Sequence, residues 1–293
     1  MEIILEGVLN VDKPRGLTSH DVVNRIRRVS GIRRVGHAGT LDPLATGVLL
    51  LCLGRTTRLV EYLVGQSKRY ETVIRLGQVT DTYDADGEIV AERPVDVTID
   101  DIEAALAHFR GSIQQRPPPY SAIKQGGKPL YKLTRQRVQV EAPLRTITIY
   151  ELELLSWQAP FLVVRIVCSS GTYIRSLAHD LGEVLGSGGH VAQLRRTAVG
   201  TFDVETAVPL AELNAENVSD YLQPADTAVQ HLPRLELSAS DARKLQQGQR
   251  VAQQDDHPRS ELVRVYAPGD HFIGVATANG PYWQARKIFS PFK

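Results

Sequence analysis

Asp42 is the carboxylate of this chain best placed to do chemistry. It sits in Gly36-His-Ala-Gly-Thr-Leu-Asp-Pro-Leu-Ala-Thr-Gly47, where three glycines let the backbone approach a ligand while Asp42 and His37 are presented to it. Asp before Pro also fits a helix opening, with the carboxylate capping free N–H groups and proline at the first helical position. The continuation through Gly47 and Val48 into an apolar run ending near Cys52 leaves room only for a short turn, which favours a ligand-facing loop. No Gly-Lys-Ser/Thr follows, so a Walker-type phosphate loop is excluded. Tyr70 opens the alternating run Lys68–Leu76, where a tyrosine is by default a half-buried packing residue. Arg175 lies near the opening of a predicted helix, a position unfavourable to a cation; it is either a surface side chain or the partner of a carboxylate.

Several elements must position these residues. Residues 3 to 11 alternate as a strand, closed by the turn Asp12-Lys-Pro-Arg-Gly16. Ser19 is the expected cap of a helix with Val22, Val23, Ile26 and Val29 on its apolar face. Arg25, Arg27, Arg28, Arg33 and Arg34 follow one another up to the Gly-rich loop, a modest pointer to an anionic ligand. Leu49–Leu53 reads as a buried strand, Thr56–Leu63 as a short helix and Lys68–Leu76 as a strand. An acidic stretch from Asp81 to Glu103 reads as a loop and then a helix capped by Thr98. Strands at 144–156 and 160–168 precede a helix with Ile174, Leu177, Ala178, Leu181 and Leu185 inward, and Leu194 beyond it is core by default. The pattern breaks between Pro224 and Pro233, which places a linker there and divides the chain into 1–230 and a small, mostly β module at 235–293.

The chain has 293 residues, an ordinary apolar fraction of 42% and a formal net charge of +1, so the whole-molecule charge does not point to nucleic acid. Charge is nevertheless segregated. No acid occurs from Arg110 to Val140, where Arg116, Lys124, Lys128 and Lys132 alternate with Tyr120 and Tyr131 around Pro- and Gly-rich turns. We read 110–140 as a projecting arm with the mixture that phosphate contact and base stacking require. Cys52 and Cys168 lack metal-ligand spacing and read as buried thiols in a reducing compartment, so no metal is expected. The N-terminus lacks a signal-peptide pattern, no run has membrane-spanning length, and nothing demands an oligomer; a cytoplasmic monomer is expected.

Five segments, in this order, closely resemble the bacterial TruB family of tRNA pseudouridine synthases: Gly36 to Gly47, Lys68-Arg-Tyr-Glu71, Arg116-Pro-Pro-Pro-Tyr-Ser-Ala-Ile-Lys124, Gly171-Thr-Tyr-Ile-Arg175 and Leu194-Arg-Arg-Thr197. The resemblance covers nearly the whole chain. It implies an α+β pseudouridine synthase fold, with a central mixed, mainly antiparallel sheet flanked by helices and a small C-terminal β-rich PUA-like RNA-binding domain. It implies a cofactor-free isomerase that converts uridine 55 in the T loop of tRNA to pseudouridine. In that reading Asp42 is the nucleophile, Tyr70 is a second catalytic residue that packs on the base and helps move its proton, Arg175 pairs with Asp42, His37 fills the space of the flipped nucleotide, and Tyr173 and Leu194 line the pocket. The arm with Arg116, Tyr120, Lys124, Lys128 and Lys132 would clamp the T stem-loop.

The residue types suit that reaction. A stacked uracil must be turned out into a pocket at a cost of roughly a few kcal/mol. A lone carboxylate in a dry pocket tends to protonate, and a guanidinium beside it favours the charged form and orients it, a task for which lysine is the poorer choice. The rival readings are an RNA-binding chaperone or assembly factor with the same fold, and a nucleoside hydrolase. The latter calls for a second carboxylate, and no motif pairs one with Asp42.

Overall fold

Why Asp42 can sit beside Arg175 follows from a mixed sheet buried on both faces at one end and on one face at the other. The computed structural model describes residues 5–120, 124–125, 128–129 and 143–289. Its strands are β1 (Gly7–Lys13), β2 (Val35–His37), β3 (Thr46–Leu53), β4 (Lys68–Leu76), β5 (Gln78–Thr80), β6 (Ile89–Glu92), β7 (Gly111–Gln115), β8 (Lys124–Gln125), β9 (Lys128–Pro129), β10 (Arg145–Gln158), β11 (Phe161–Cys168), β12 (Gly189–Val199), β13 (Phe202–Asp203) and β14 (Val208–Pro209). The helices among them are α1 (Ser19–Ser30), α2 (Val60–Val64), α3 (Ile99–Ala107) and α4 (Ile174–Val184). The main sheet runs β14-β1-β3-β12-β4-β11-β10-β7, with β2 on β3 and β13 on β12; β5 and β6 form a separate ribbon. Only β1/β14 and β3/β12 are parallel pairs, so the sheet is mixed and mainly antiparallel.

Alternation along β1 and β3 builds two cores. Leu9, Val11, Leu49, Leu51 and Leu53 face α1, α3 and α4, whereas Val8, Val48, Leu50 and Cys52 face a second cluster with Leu59, Leu63, Ala228 and Val229. Burial on both faces explains the continuous apolar run of β3. Residues 225–229, inside the stretch read as a linker, form a 3-10 helix whose Ala228 and Val229 are fully buried. Beyond it, β15 (Arg234–Glu236), α5 (Ala239–Gln246), β16 (Val251–Ala252), β17 (Leu262–Ala267), β18 (His271–Asn279) and β19 (Tyr282–Ile288) form a five-stranded sheet with its own core around Trp283.

Three local expectations are corrected. Thr18, not Ser19, caps α1: its hydroxyl accepts from the Asp21 amide and the Asp21 carboxylate returns the contact, a capping box. The Thr56–Leu63 segment begins as a 3-10 helix, Gly54–Leu59, and turns into α2 only at Val60. The reading of 110–140 as one projecting arm is corrected over its first residues: 111–115 is the edge strand β7, and the following Pro117 and Pro118 are buried rather than projecting. No described helix is long and apolar enough to cross a membrane.

Gly47 shows how closely the sheet holds the Asp42 loop. Its φ is +97°, it pairs with Arg196 across the parallel β3/β12 junction, and a Cβ there would meet the Arg196 carbonyl oxygen at 2.2 Å. Gly47→Ala is expected to lower unfolding free energy by more than ~2 kcal/mol, counting backbone strain and displacement together. Urea denaturation measures it, and a loss below about 0.5 kcal/mol contradicts the tight fit.

Candidate active site

The loop from Gly39 to Ala45 has no regular structure and is held from several sides by its own carbonyls. The Ser19 hydroxyl donates to the Leu41 carbonyl at 3.0 Å and accepts from the Leu41 amide at 2.8 Å, which is what Ser19 does instead of capping. Fully buried Lys13 donates to the Pro14, Leu17 and Pro43 carbonyls, and the Gly16 amide also reaches the Pro43 carbonyl. Arg196, 1% exposed, donates to Val48 and to Gly39 on the loop, with Thr40 at 3.5 Å. Arg196 thus spends its hydrogens on the loop and the start of β3, and Lys13 ties the turn after β1 to Pro43, satisfying groups that would otherwise be orphaned. Asp42 caps no helix.

Arg175 enters from the opposite side. Tyr173 precedes α4 without a side-chain cap, and buried Gln115 on β7 fixes it by accepting from the Tyr173 amide at 2.8 Å and donating to its carbonyl at 3.0 Å. Arg175, in the first turn of α4, brings its Nε within 2.9 Å of Asp42 Oδ2. That N–H does not aim at the oxygen, so the contact is a close ion pair rather than an aligned hydrogen bond. The terminal nitrogens donate to the Thr82 carbonyl at 3.0 Å and the Tyr120 carbonyl at 2.9 Å, and Nη1 lies 3.3 Å from Asp84 Oδ2. Two carboxylates at the start of α4 offset the unfavourable position of the cation.

The side chains differ sharply in exposure: Arg175 is 7% exposed, Asp84 8% and Asp42 38%. The expectation of a carboxylate in a dry pocket is therefore corrected. The cation is buried, and Asp42 reaches a partly wet cavity. Asp84 is the residue that the sequence reading missed, one acid among nine between Asp81 and Glu103. Burial pushes its carboxyl above the usual carboxylate range, against the opposing effects of Thr82 and Arg175.

Asp42, Tyr70, Tyr173, Arg175 and Leu194 line one cavity of about 240 Å³, together with Lys68 and Arg196. That is the liquid volume of roughly eight waters, enough for a pyrimidine ring. Tyr70 is 7% exposed and pairs with Arg196 across β4 and β12; burial raises its phenol pKa, so it presents a neutral ring. Burial lowers Lys68 to about 8, its ammonium donating to the Val64 and Gln66 carbonyls. His37 is not in the cavity wall; it lies on β2, and burial lowers its pKa.

The arm residues are only partly placed. Arg116 and Tyr120 meet α4 through their carbonyls, which accept from Ser176 and Arg175. Lys124 and Lys128 lie on the paired strands β8 and β9, of which only the backbone is described, and Lys132 lies outside the described residues. No cluster able to hold a metal ion occurs among the described residues.

Comparison with known proteins gives this arrangement its class. Among solved structures, a Cbf5-Nop10-Gar1 complex matches with a TM-score of 0.77 at 30% identity, covering 98% of this chain and 86% of that one. An H/ACA RNP bound to a substrate RNA containing 2'-deoxyuridine matches with a TM-score of 0.76 at 29% identity, covering 98% and 86%. Residues 27–174 match the N-terminal domain of the TruB family pseudouridylate synthases, 175–230 the tRNA pseudouridylate synthase B C-terminal domain and 233–281 the TruB C-terminal family of pseudouridine synthase II. A tRNA pseudouridine synthase B from Aromatoleum aromaticum is 46% identical, with 94% of this chain and 90% of that protein covered; one from Haemophilus influenzae is 44% identical over 98% and 96%. The chain belongs to the TruB family of pseudouridine synthases.

Lys68 yields a pH test. Its folded pKa of about 8 lies below the ordinary lysine value, so the unfolded chain holds more protons between about pH 8 and 10.4 and stability contributed by this group rises over that window. Wild type is expected to gain unfolding free energy relative to Lys68→Met between pH 7.5 and 10, read from paired urea curves. A gap that stays constant contradicts the depressed pKa.

Proposed function

We propose that this cavity converts the T-loop uridine at position 55 of tRNA to pseudouridine, with Asp42 as the nucleophile. The observation that carries the reading is the Asp42 carboxylate in the wall of a base-sized cavity, 2.9 Å from a buried guanidinium. The reaction is an isomerisation: the N1–C1′ bond breaks, the base turns, C5 bonds to C1′, and the proton lost from C5 is balanced by one gained at N1. A carboxylate nucleophile splits such a rearrangement into easier steps. Tyr70 offers the turned-out base a neutral ring face, and Tyr173 and Leu194 close the cavity around it. Arg175 holds the carboxylate in place, and its charge matters more once the base has displaced water.

The tRNA substrate is supported by the relatives, which bear the name tRNA pseudouridine synthase B at more than 40% identity over nearly the full chain. The basic stretch with Arg116, Tyr120, Lys124, Lys128 and Lys132 supplies phosphate contacts and stacking surface to the T stem-loop, and the C-terminal β-rich module adds contacts that read RNA shape. His37 stands next to the cavity rather than in it, so it meets neighbouring nucleotides or backbone rather than the reacting ring.

Asp42→Asn tests the assignment. It keeps the shape of the side chain and removes its charge, so tRNA affinity is expected to change by less than about threefold while the rate falls by more than about 10³. Filter binding and pseudouridine mapping of tRNA read the two quantities. Normal turnover would overturn the role of Asp42, and modification at another tRNA position would overturn the site preference.

A further inference from the structure

Asp84 reaches Arg175 from the excursion between β5 and β6, which is held by several contacts. Arg175, His179 and Glu183 recur every four residues along α4 and so share one face of the helix. Arg175 holds the Thr82 carbonyl and Asp84, the His179 ring stacks on Tyr83 with centroids 3.8 Å apart and planes 5° from parallel, and Glu183 accepts from Arg93 at 2.9 Å. Tyr83 adopts a left-handed backbone with φ of 64°, one of two non-glycine residues with positive φ among those described and an uncommon state for a bulky side chain. On its other side the Tyr83 carbonyl accepts from the Val191 amide and the Ala85 amide donates to the Val191 carbonyl, an isolated bridge to β12. Within the loop, Thr82 and the Asp86 amide both donate to Asp84 Oδ1, so Oδ2 is the oxygen turned to Arg175.

His179 is not held there by hydrogen bonding through Nδ1, which is buried without a partner, so its observed contact is the stack itself. The stack bears on a residue whose backbone is strained and whose neighbour is the buried acid. Without the ring contact, Tyr83 can relax to negative φ, which rotates the adjoining peptide and moves Asp84 off the guanidinium. We propose that His179, through its stack on Tyr83, is a positioning residue for the catalytic ion network, acting on Asp42 by way of Asp84 and Arg175. It touches neither base nor sugar. The proposal rests on the reading of Asp42 and Arg175 given above.

Single-turnover pseudouridine formation on saturating tRNA, with tRNA affinity measured in parallel, tests it. His179→Ala is expected to slow the step at least about tenfold with affinity changed less than about twofold, and His179→Phe, which can still stack, to return within about threefold of wild type. Tyr83→Ala keeps the cost of a left-handed backbone without the ring and is expected to be slow, whereas Tyr83→Phe keeps the ring and is expected to be near normal. The tyrosine pair gives the answer if His179→Ala does not fold. Equal rates for wild type and Tyr83→Ala, or a His179→Phe protein as slow as His179→Ala, would overturn the proposal. Wild type is run alongside: absence of pseudouridine with wild type strikes the functional reading itself, and normal wild-type product with unchanged variants strikes only the role of the stack.

Discussion

One buried guanidinium joins segments that would otherwise have no reason to meet. Arg175 contacts the Asp42 carboxylate, the Thr82 carbonyl with the nearby Asp84 carboxylate, and the Tyr120 carbonyl, so three separate stretches of chain converge on one planar group. A guanidinium suits this task because its five donors are fixed in a plane and its charge persists. Its burial also makes the contacts interdependent. Removing the cation would leave Asp84 buried without it, a loss of about 3–5 kcal/mol for pairs of this kind. Asp42 differs in being partly exposed, so a sheltered cation sits beside an anion that stays accessible from the cavity.

The same economy appears in the loop that carries Asp42. Lys13 and Arg196 are buried cations without a carboxylate at hydrogen-bonding distance among the described residues; Arg196 directs its donors at carbonyls of the loop and the start of β3, and Lys13 at the turn after β1 and at Pro43. The loop needs no helix or strand to hold its shape. Burial costs are visible in Lys13 and Lys68, both lowered to about 8, and cations around the cavity suit a polyanionic ligand. The other face of β4, β11 and β10 shows the contrast: Arg165 with Glu71 and Glu153 forms a solvated ladder, of the kind that contributes little to stability.

What the sequence made legible follows from what is local. Apolar alternation in Lys68–Leu76 and the helical spacing after Ile174 place two of the three central residues on their elements, and the Gly-rich segment marks the third. The pairing of Asp42 with Arg175 came from family resemblance, since nothing in either segment encodes the other. Asp84 stayed hidden because its acidic neighbours obey the same local pattern; only a contact with distant α4 distinguishes the buried acid from the solvated ones. Thr18 and Ser19 are chemically near-equivalent as caps, and the choice was made by the Leu41 backbone, which claims the serine hydroxyl. The boundary of the arm was misread because charge continues unbroken from Arg110 while the backbone hydrogen bonds of β7 do not show in composition.

The central claim is that Arg175 orients the Asp42 carboxylate because its contacts to Thr82, Tyr120 and Asp84 fix the guanidinium in place, and not through positive charge alone. Single-turnover pseudouridine formation by Arg175→Lys on saturating tRNA measures this most directly, because lysine keeps the charge and cannot make the same set of contacts. The account predicts a rate about 100-fold below wild type with tRNA affinity preserved, the size of effect expected when a reacting group is misplaced by about an ångström. A rate within about threefold of wild type would contradict it.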